Sequence, residues 1–380
     1  MIPVLPFLGL SLGLNQFEIG IIVAVFSFAQ FFSSPVTGKL SDRYGRKPIL
    51  IVSQISTFIG FVLLGFATAI WILVTARLID GLFGSNMTVT QAYLSDITPP
   101  EDRTRIYGYS SAVFGGALIF GPVIGGLSSQ ISFSTPMFIA AGISLISIVL
   151  VIFILPESIP DRGTSKPLDL AEIVPYKHAR KFFGIPRIRR ILILYWIYNL
   201  GFILFITSFV LFLDLRYQVD GRMVGFYFGW LGILRVVMQA GMISPLINRL
   251  GEKLTLILGL ISMMVSLLSF IVIINIWLIF IPMTFLAFGT GVCRPILISR
   301  LSQVADQKET GTLMGVSNSL GSIAQFTMPL LGGAILLLLP ALVLPIASAF
   351  LFLILTLLIT SLKASKPMEV RSDKQPSIAG

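Results

Sequence analysis

The sequence predicts an all-α membrane protein made of two similar six-helix bundles, and three observations carry that expectation. Hydrophobic residues make up 55% of the chain and charged residues 12%, with a mean hydropathy of +0.93, whereas a soluble domain carries about 25% charged residues. Apolar stretches of about 20 residues recur along nearly the whole length, each long enough at about 1.5 Å per residue to cross about 30 Å of hydrocarbon. A β-barrel would instead show alternation in segments of about 10 residues. Finally, the two halves of the chain align with each other, as set out below.

Taken in order, the apolar segments fall at 1–14, 18–37, 48–68, 71–96, 106–129 and 134–155 in the first half. In the second half they fall at 190–214, 222–247, 254–275, 276–302, 311–337 and 341–362. As a helix the first spans only about 21 Å and has no basic flank, so it reads as an incomplete crossing with its remainder upstream; a signal peptide would carry a charged n-region. The expected domains are therefore 1–155, a linker at 156–189, 190–362, and a tail at 363–380. Connections alternate in charge. Those at 38–48, 97–105, 156–189, 248–253 and 303–310, with the tail, hold most of the Lys and Arg, while the opposite set holds Arg216 with Arg222 at its edge. The positive-inside rule places the basic set and the C-terminus in the cytoplasm, as expected of a multi-pass protein of a bacterial inner membrane or a plasma membrane.

The formal charge of +10 would suggest nucleic acid in a soluble protein; here it is accounted for by inner loops, and no nucleic-acid partner is expected. One cysteine, Cys293, and one histidine, His178, exclude an intrachain disulfide framework and leave no basis for a Cys/His metal site. No nucleophile set or catalytic carboxylate pair appears, so neither an enzyme nor a cofactor is expected. The linker patch Lys177, Arg180, Lys181, Phe182 and Phe183 suits an amphipathic helix on anionic lipid. His178, within it, reads as a solvated side chain rather than a pH sensor.

The internal repeat sets Leu40-Ser-Asp-Arg-Tyr-Gly-Arg-Lys over Leu246-Ile-Asn-Arg-Leu-Gly-Glu-Lys. One residue further along, Gly84 matches Gly291, Gly108 matches Gly315, Pro122 matches Pro329, and Gly125-Gly126 match Gly332-Gly333. Two similar six-helix halves are the build of many secondary transporters, with a site near the midplane between them.

Three clusters carry candidate chemistry. Gly38 to Pro48 concentrates Lys39, Asp42, Arg43, Arg46 and Lys47 in one short connection. Its glycines permit a tight turn and its cations face the cytoplasm; its acid, Asp42, can pair with a nearby Arg or cap a helix. In the fourth segment Asp80 lies one turn from Arg77, and intramembrane charges are costly and usually functional. A polar stripe continues through Gly84, Thr88 and Gln91. Two readings stay open there: a static ion pair that fixes packing, or a carboxylate that takes and releases a proton under the control of Arg77. Polar or aromatic positions at helical spacing supply substrate-binding candidates: Gln30 and Ser34, Asn199, Trp230, and Asn318, Ser322 and Gln325, with Phe26, Phe205 and Phe226 for stacking. Arg235 and Arg294 are cations inside the second half, suited to an anionic substrate group or to pairing across the cavity. Arg300 sits near the inner end, where it can snorkel.

These residues resemble the major facilitator superfamily over essentially the whole chain. Gly38-Lys-Leu-Ser-Asp42-Arg43-Tyr-Gly45-Arg46-Lys47-Pro looks like its signature between helices 2 and 3. Arg77-Leu-Ile-Asp80-Gly81 through Asp96 resembles the motif B region of proton-coupled drug exporters, and Gly121-Pro122-Val-Ile-Gly125-Gly126 their antiporter motif. Together they look most like the twelve-helix drug:proton antiporters on the tetracycline-exporter side, with Ala117 where a glycine is expected four residues before Gly121. The resemblance implies that Arg46 reaches Asp96 and that Asp42 meets the start of helix 11 near Gly311, so that Asp42, Arg43, Gly45, Arg46 and Asp96 gate the halves. It also implies that Gly121, Pro122, Gly125 and Gly126 act in coupling or leak prevention. The expected function is export of small lipophilic compounds in exchange for protons by alternating access, with the protein working as a monomer. The alternatives are a metabolite or anion carrier of the same fold and a non-transporting membrane sensor.

Overall fold

The computed structural model describes residues 4–99, 102–158, 176–304 and 310–361, and every regular element among them is helical. The first half comprises α1 (Leu5–Ser11), α2 (Gln16–Tyr44), α3 (Arg46–Gly65), α4 (Ile70–Phe83), α5 (Asn86–Ile97), α6 (Arg103–Ser128) and α7 (Thr135–Phe153). In the linker, α8 (Tyr176–Gly184) forms as the basic patch predicts, while the side chain of His178 lies outside the described residues. The second half contains α9 (Pro186–Tyr217), α10 (Gly221–Val237), α11 (Ile243–Val272), α12 (Phe280–Val304), α13 (Thr310–Leu338) and α14 (Val343–Thr360). Helices are what lipid permits, since each satisfies its own backbone hydrogen bonds.

Eight stretches among the described residues are long and apolar enough to cross a membrane, against twelve apolar segments in the sequence. The difference has physical causes. The fourth segment is broken into α4 and α5 at Gly84–Ser85, both at φ −81°, ψ 40°. Its polar stripe is therefore not one continuous helical face, and Gln91 is exposed on the second piece. The eighth and ninth segments run together as Gly221–Val272, passing through a π-helical turn at Met238–Met242 and a non-helical Gly251. α1 is only seven residues long.

The repeat is visible in the backbone. Gly45 has φ 98°, ψ 152° and Gly251 has φ 76°, ψ 159°, a region that a Cβ makes unfavourable. These are the two glycines that the sequence repeat superimposes. Within the first half α3 packs on α4 and α7; within the second, α11 packs on α12 and α14. Among the described residues the halves meet chiefly through two helix pairs, α2 with α13 and α6 with α10.

Both pairs use the Pro and Gly positions of the repeat. A Cβ on Gly225 of α10 would lie 2.7 Å from the Pro122 carbonyl oxygen of α6, and one on Gly126 would lie 2.6 Å from the Gly221 carbonyl oxygen. Likewise a Cβ on Gly20 of α2 would lie 2.5 Å from the Pro329 carbonyl oxygen of α13, and one on Gly333 would lie 2.5 Å from that of Gln16. Small residues thus let the helix backbones touch, and all four contacts lie toward the end with the basic-poor connections. Elsewhere Gly116, Gly121, Gly315 and Gly321 have nothing among the described residues within 4 Å of an added Cβ, while one on Gly115 of α6 would lie 3.3 Å from Val236 Cγ2 of α10.

Candidate functional site

The first cluster forms around the end of α4. Arg77 and Asp80 are both largely buried, and their closest charged atoms, Nη1 and Oδ2, are 3.7 Å apart. Asp80 is held more closely by a hydroxyl: Thr57 of α3 donates to Asp80 Oδ1 at 2.8 Å, and Asn86 Nδ2 donates to Thr57 Oγ1 at 3.0 Å. Arg77 lies 4.1 Å over the ring of Phe26 on α2, a contact that offsets part of the cost of burying a cation. Gly60 opposite leaves space, since its Cβ would sit 3.1 Å from that of Asp80. Ser33 of α2 donates to the Gly81 carbonyl at 2.8 Å and lies 3.3 Å from the Ser85 hydroxyl. The broken helix therefore has its freed polar groups tied to α2 and α3, leaving a carboxylate whose ion pair is loose and whose neutral hydrogen-bond partner is close.

The second cluster is the 38–48 connection. Arg46, 7% exposed, pairs with Asp42 through Nη1 and with Asp96 at 2.8 Å through Nε, and also donates to Ser41 Oγ at 2.6 Å. Arg46 and Asp96 meet as the resemblance implied. Arg43 points away from them, 5.4 Å over the ring of its neighbour Tyr44. Both ion pairs stay within the first half; the surroundings of Gly311, where Asp42 is expected to reach the second, lie outside the described residues.

Sequence reasoning passed over Glu157. Its carboxylate accepts the backbone N–H groups of Arg46 at 2.8 Å and Lys47 at 3.2 Å, so it caps α3 across 110 positions of sequence. Ser158 donates to Asp96 Oδ2 at 3.1 Å, Tyr93 donates to the Pro156 carbonyl at 3.1 Å, and Lys47 Nζ donates to that of Ile152 at 2.8 Å. The available signal was indirect: Gly45, before α3, has no side chain to cap it, so its first N–H groups need an acceptor from elsewhere.

The substrate-binding candidates divide. Asn199 donates to the Tyr195 carbonyl one turn back in α9 at 2.8 Å, and Trp230, 39% exposed, donates to Thr284 of α12 at 3.0 Å with its ring edge-on to Phe280. Phe205, 1% exposed, sits in a core cluster with Phe209, Phe212 and Phe270, so it is not available for stacking on a ligand. Gln30 and Ser34 are half-buried on α2, Ser34 lying 3.4 Å from the Ser85 hydroxyl. Phe226 lies 5.7 Å from the Arg222 guanidinium. Asn318 and Gln325 are exposed on α13, and next to Gln325, Phe326 meets Phe28 of α2 at 5.7 Å. Arg294 is exposed and Arg235 half-buried. Among the described residues no group of three or more His, Cys, Asp or Glu side chains is placed to hold a metal.

The family model for the Major Facilitator Superfamily matches residues 1–329 and again 191–377. The chain belongs to that superfamily. It is similar to the tetracycline resistance protein, class C, of Escherichia coli, with 32% identity over 316 residues covering 83% of this chain and 79% of the relative. It is also similar to multidrug resistance protein 2 of Bacillus subtilis, at 26% identity over 88% of this chain and 83% of the relative. Among solved structures, the nucleoside transporter NupG superposes with a TM-score of 0.77 at 11% identity, covering 95% of this chain and 94% of that one. The human organic anion transporter MFSD10 (TETRAN) gives 0.67 at 20% identity, covering 93% and 88%. At such identities these two structures speak for the fold alone. The protein is a multi-pass major facilitator transporter and not an enzyme.

Proposed function

We propose that this transporter exports small lipophilic compounds in exchange for protons, with the halves 1–155 and 190–362 rocking about a central site. The linker 156–189 joins them, and it and the tail 363–380 face the cytoplasm of a bacterial inner membrane or a plasma membrane. A monomer suffices, because both cross-half helix pairs form within one chain. The observation that carries this reading is the Arg77–Asp80 pair at the broken fourth segment. A carboxylate 3.7 Å from its cation and 2.8 Å from a hydroxyl keeps a hydrogen-bond partner whether charged or neutral, as a proton carrier requires. A static pair fixing helix packing would gain from direct contact between the charged atoms.

The similarity to tetracycline and multidrug resistance proteins supports the substrate class. Close packing through Gly20, Gly126, Gly225 and Gly333 at the basic-poor end supports an outer gate that can shut. Asp42, Arg46 and Asp96 then shape the inner gate, and Gly121 to Gly126 seal the outer one. The test uses everted vesicles from an efflux-deficient strain: tetracycline and a panel of lipophilic drugs should release protons from acid-loaded vesicles, and Asp80→Asn should abolish the release. Drug-driven proton release at normal rate in Asp80→Asn rules out Asp80 as the carrier. No release by any drug in the wild type overturns proton-coupled export.

A further inference from the structure

The hydroxyl that holds Asp80 is within reach of two acceptors and owns one proton. Thr57 Oγ1 on α3 lies 2.8 Å from Asp80 Oδ1 and 3.2 Å from the carbonyl oxygen of Ser53, one turn back in its own helix. A threonine hydroxyl donates once and accepts twice. While Asp80 is charged the proton goes to it, because a hydrogen bond to an ionised acceptor is stronger than one to a neutral carbonyl. The Ser53 carbonyl is, besides, shared with the Ser56 hydroxyl at 2.8 Å. The Thr57 oxygen is then left to accept, and Asn86 Nδ2 donates to it at 3.0 Å. That contact sets the orientation of Asn86, whose own Oδ1 is buried with no hydrogen-bond partner among the described residues.

A proton arriving at Asp80 reverses the first of these bonds. On Oδ2 it would face Arg77, 3.7 Å away, which offers donors and no acceptor. On Oδ1 it meets the Thr57 oxygen, which accepts it beside the Asn86 N–H and turns its own proton to the Ser53 carbonyl. The hydroxyl then uses its donor and both acceptor positions, no bond within Thr57 breaks, and neither Thr57 nor Asp80 Oδ1 loses its partner. Departure of the proton restores the first arrangement. Apart from Arg77, the charged groups on the elements packed around Asp80 are distant. The nearest are Glu18 and Lys39 on α2, counted from Ala29 beside Gly81, Lys47 on α3, counted from Thr57, and Asp96 on α5, counted from Asn86. Each is about 15 Å or more away along its helix.

We propose that Thr57 is a positioning residue for the transported proton, a two-way hydroxyl that holds Asp80 in both charge states, with Asn86 fixing the hydroxyl oxygen. This deepens the export reading and rests on Asp80 as the carrier. It also gives the break in the fourth segment a purpose. In an unbroken helix Asn86 would sit about 120° around the axis from Asp80, at about 100° per residue. The turn at Gly84–Ser85 brings both side chains to one hydroxyl of α3. A packing role for Thr57 needs only its shape, which valine reproduces; the switch needs its oxygen, which serine keeps.

The test reads two rates in everted vesicles, with tetracycline or whichever drug of the panel the wild type exports fastest. One is drug-driven proton release from acid-loaded vesicles. The other is exchange of labelled for unlabelled drug without a proton gradient, which moves drug with no net proton transfer. Thr57→Val should slow proton release about tenfold, the worth of a hydrogen bond to a charged group, and slow exchange far less. Thr57→Ser should recover most of the release rate, and Asn86→Leu should slow release about threefold, as for a neutral hydrogen bond. Monodisperse elution checks folding, and Thr57→Ala, with the same expectations, replaces Thr57→Val if that variant aggregates. Normal release in Thr57→Val, equal losses in Thr57→Val and Thr57→Ser, or equal losses of release and exchange overturn the proposal. Asp80→Asn separates it from the carrier reading. Abolished release in Asp80→Asn with normal release in Thr57→Val refutes the hydroxyl switch and leaves the carrier. Normal release in Asp80→Asn refutes the carrier and the switch with it.

Discussion

The connection at Gly38 to Pro48 and its repeat at Leu246 to Lys253 share a backbone and exchange their charges. In each, a positive-φ glycine, Gly45 or Gly251, turns the chain, and the next residue reaches the inner end of a neighbouring helix. In the first half that residue is Arg46, bound to Asp96; in the second it is Glu252, bound to Arg300. Asp42 adds a second carboxylate to Arg46, where the repeat has Asn248. Arg46 is 9% exposed in its side chain, whereas Arg300 and Glu252 are 24% and 35% exposed. The glycine turn is thus a requirement of the fold and the sign of the pair is not. What distinguishes the first half is depth: its cation is buried among two carboxylates, with Glu157 closing the helix end beside it.

That contrast can be broken at graded cost. Arg46→Ala leaves Asp96 without its main partner and should destabilise the first half by about 1–2 kcal/mol, less than for a fully buried pair because Asp96 and Asp42 keep 27% and 56% of their side chains exposed; a thermal unfolding assay in detergent should show the largest shift of any change here. Transport should fall with it. A sharper test rebuilds the second-half arrangement in the first: Arg46→Glu should be as harmful, Asp96→Arg added to it should restore part of the stability, and Asp42→Asn as a third change should restore more by removing the remaining like charge. If the triple variant is no better than Arg46→Glu alone, the sign of the pair is itself essential.

Glu157→Gln keeps an acceptor for the Arg46 and Lys47 N–H groups but loses the charge at the α3 N-terminus, so a loss of about 0.5–1 kcal/mol is expected. Glu252→Gln should have the smallest effect, at most about 1 kcal/mol and weakened further by salt, because its pair with Arg300 is partly solvated. Equal unfolding shifts for Arg46→Ala and Glu252→Gln would show that burial does not separate the two loops.

Much of this was legible beforehand because lipid imposes strong local rules. Apolar length announced the helices, and the recurrence of Gly45 at Gly251 announced the repeat, since only glycine tolerates that backbone region comfortably. The meeting of Arg46 with Asp96 followed from resemblance. Other features left little local trace. The break after Asp80 sits at Gly84-Ser85, residues that also occur within unbroken membrane helices such as α6 and α9. Phe205 suits stacking by residue type alone, but hydropathy does not tell lipid-facing from core-facing aromatics, and the structure buries it.

By itself, then, the sequence determined that the chain is helical, membrane-embedded, twofold repeated, and charged on one side, because each of those properties is a sum over residues near one another in the chain. The tertiary structure alone decided which surfaces meet. It brought Pro122 to Gly225 and Pro329 to Gly20 across the two halves, and Glu157 to the start of α3. Such contacts depend on how helices pack at close range, and packing is set by shape between segments distant in sequence.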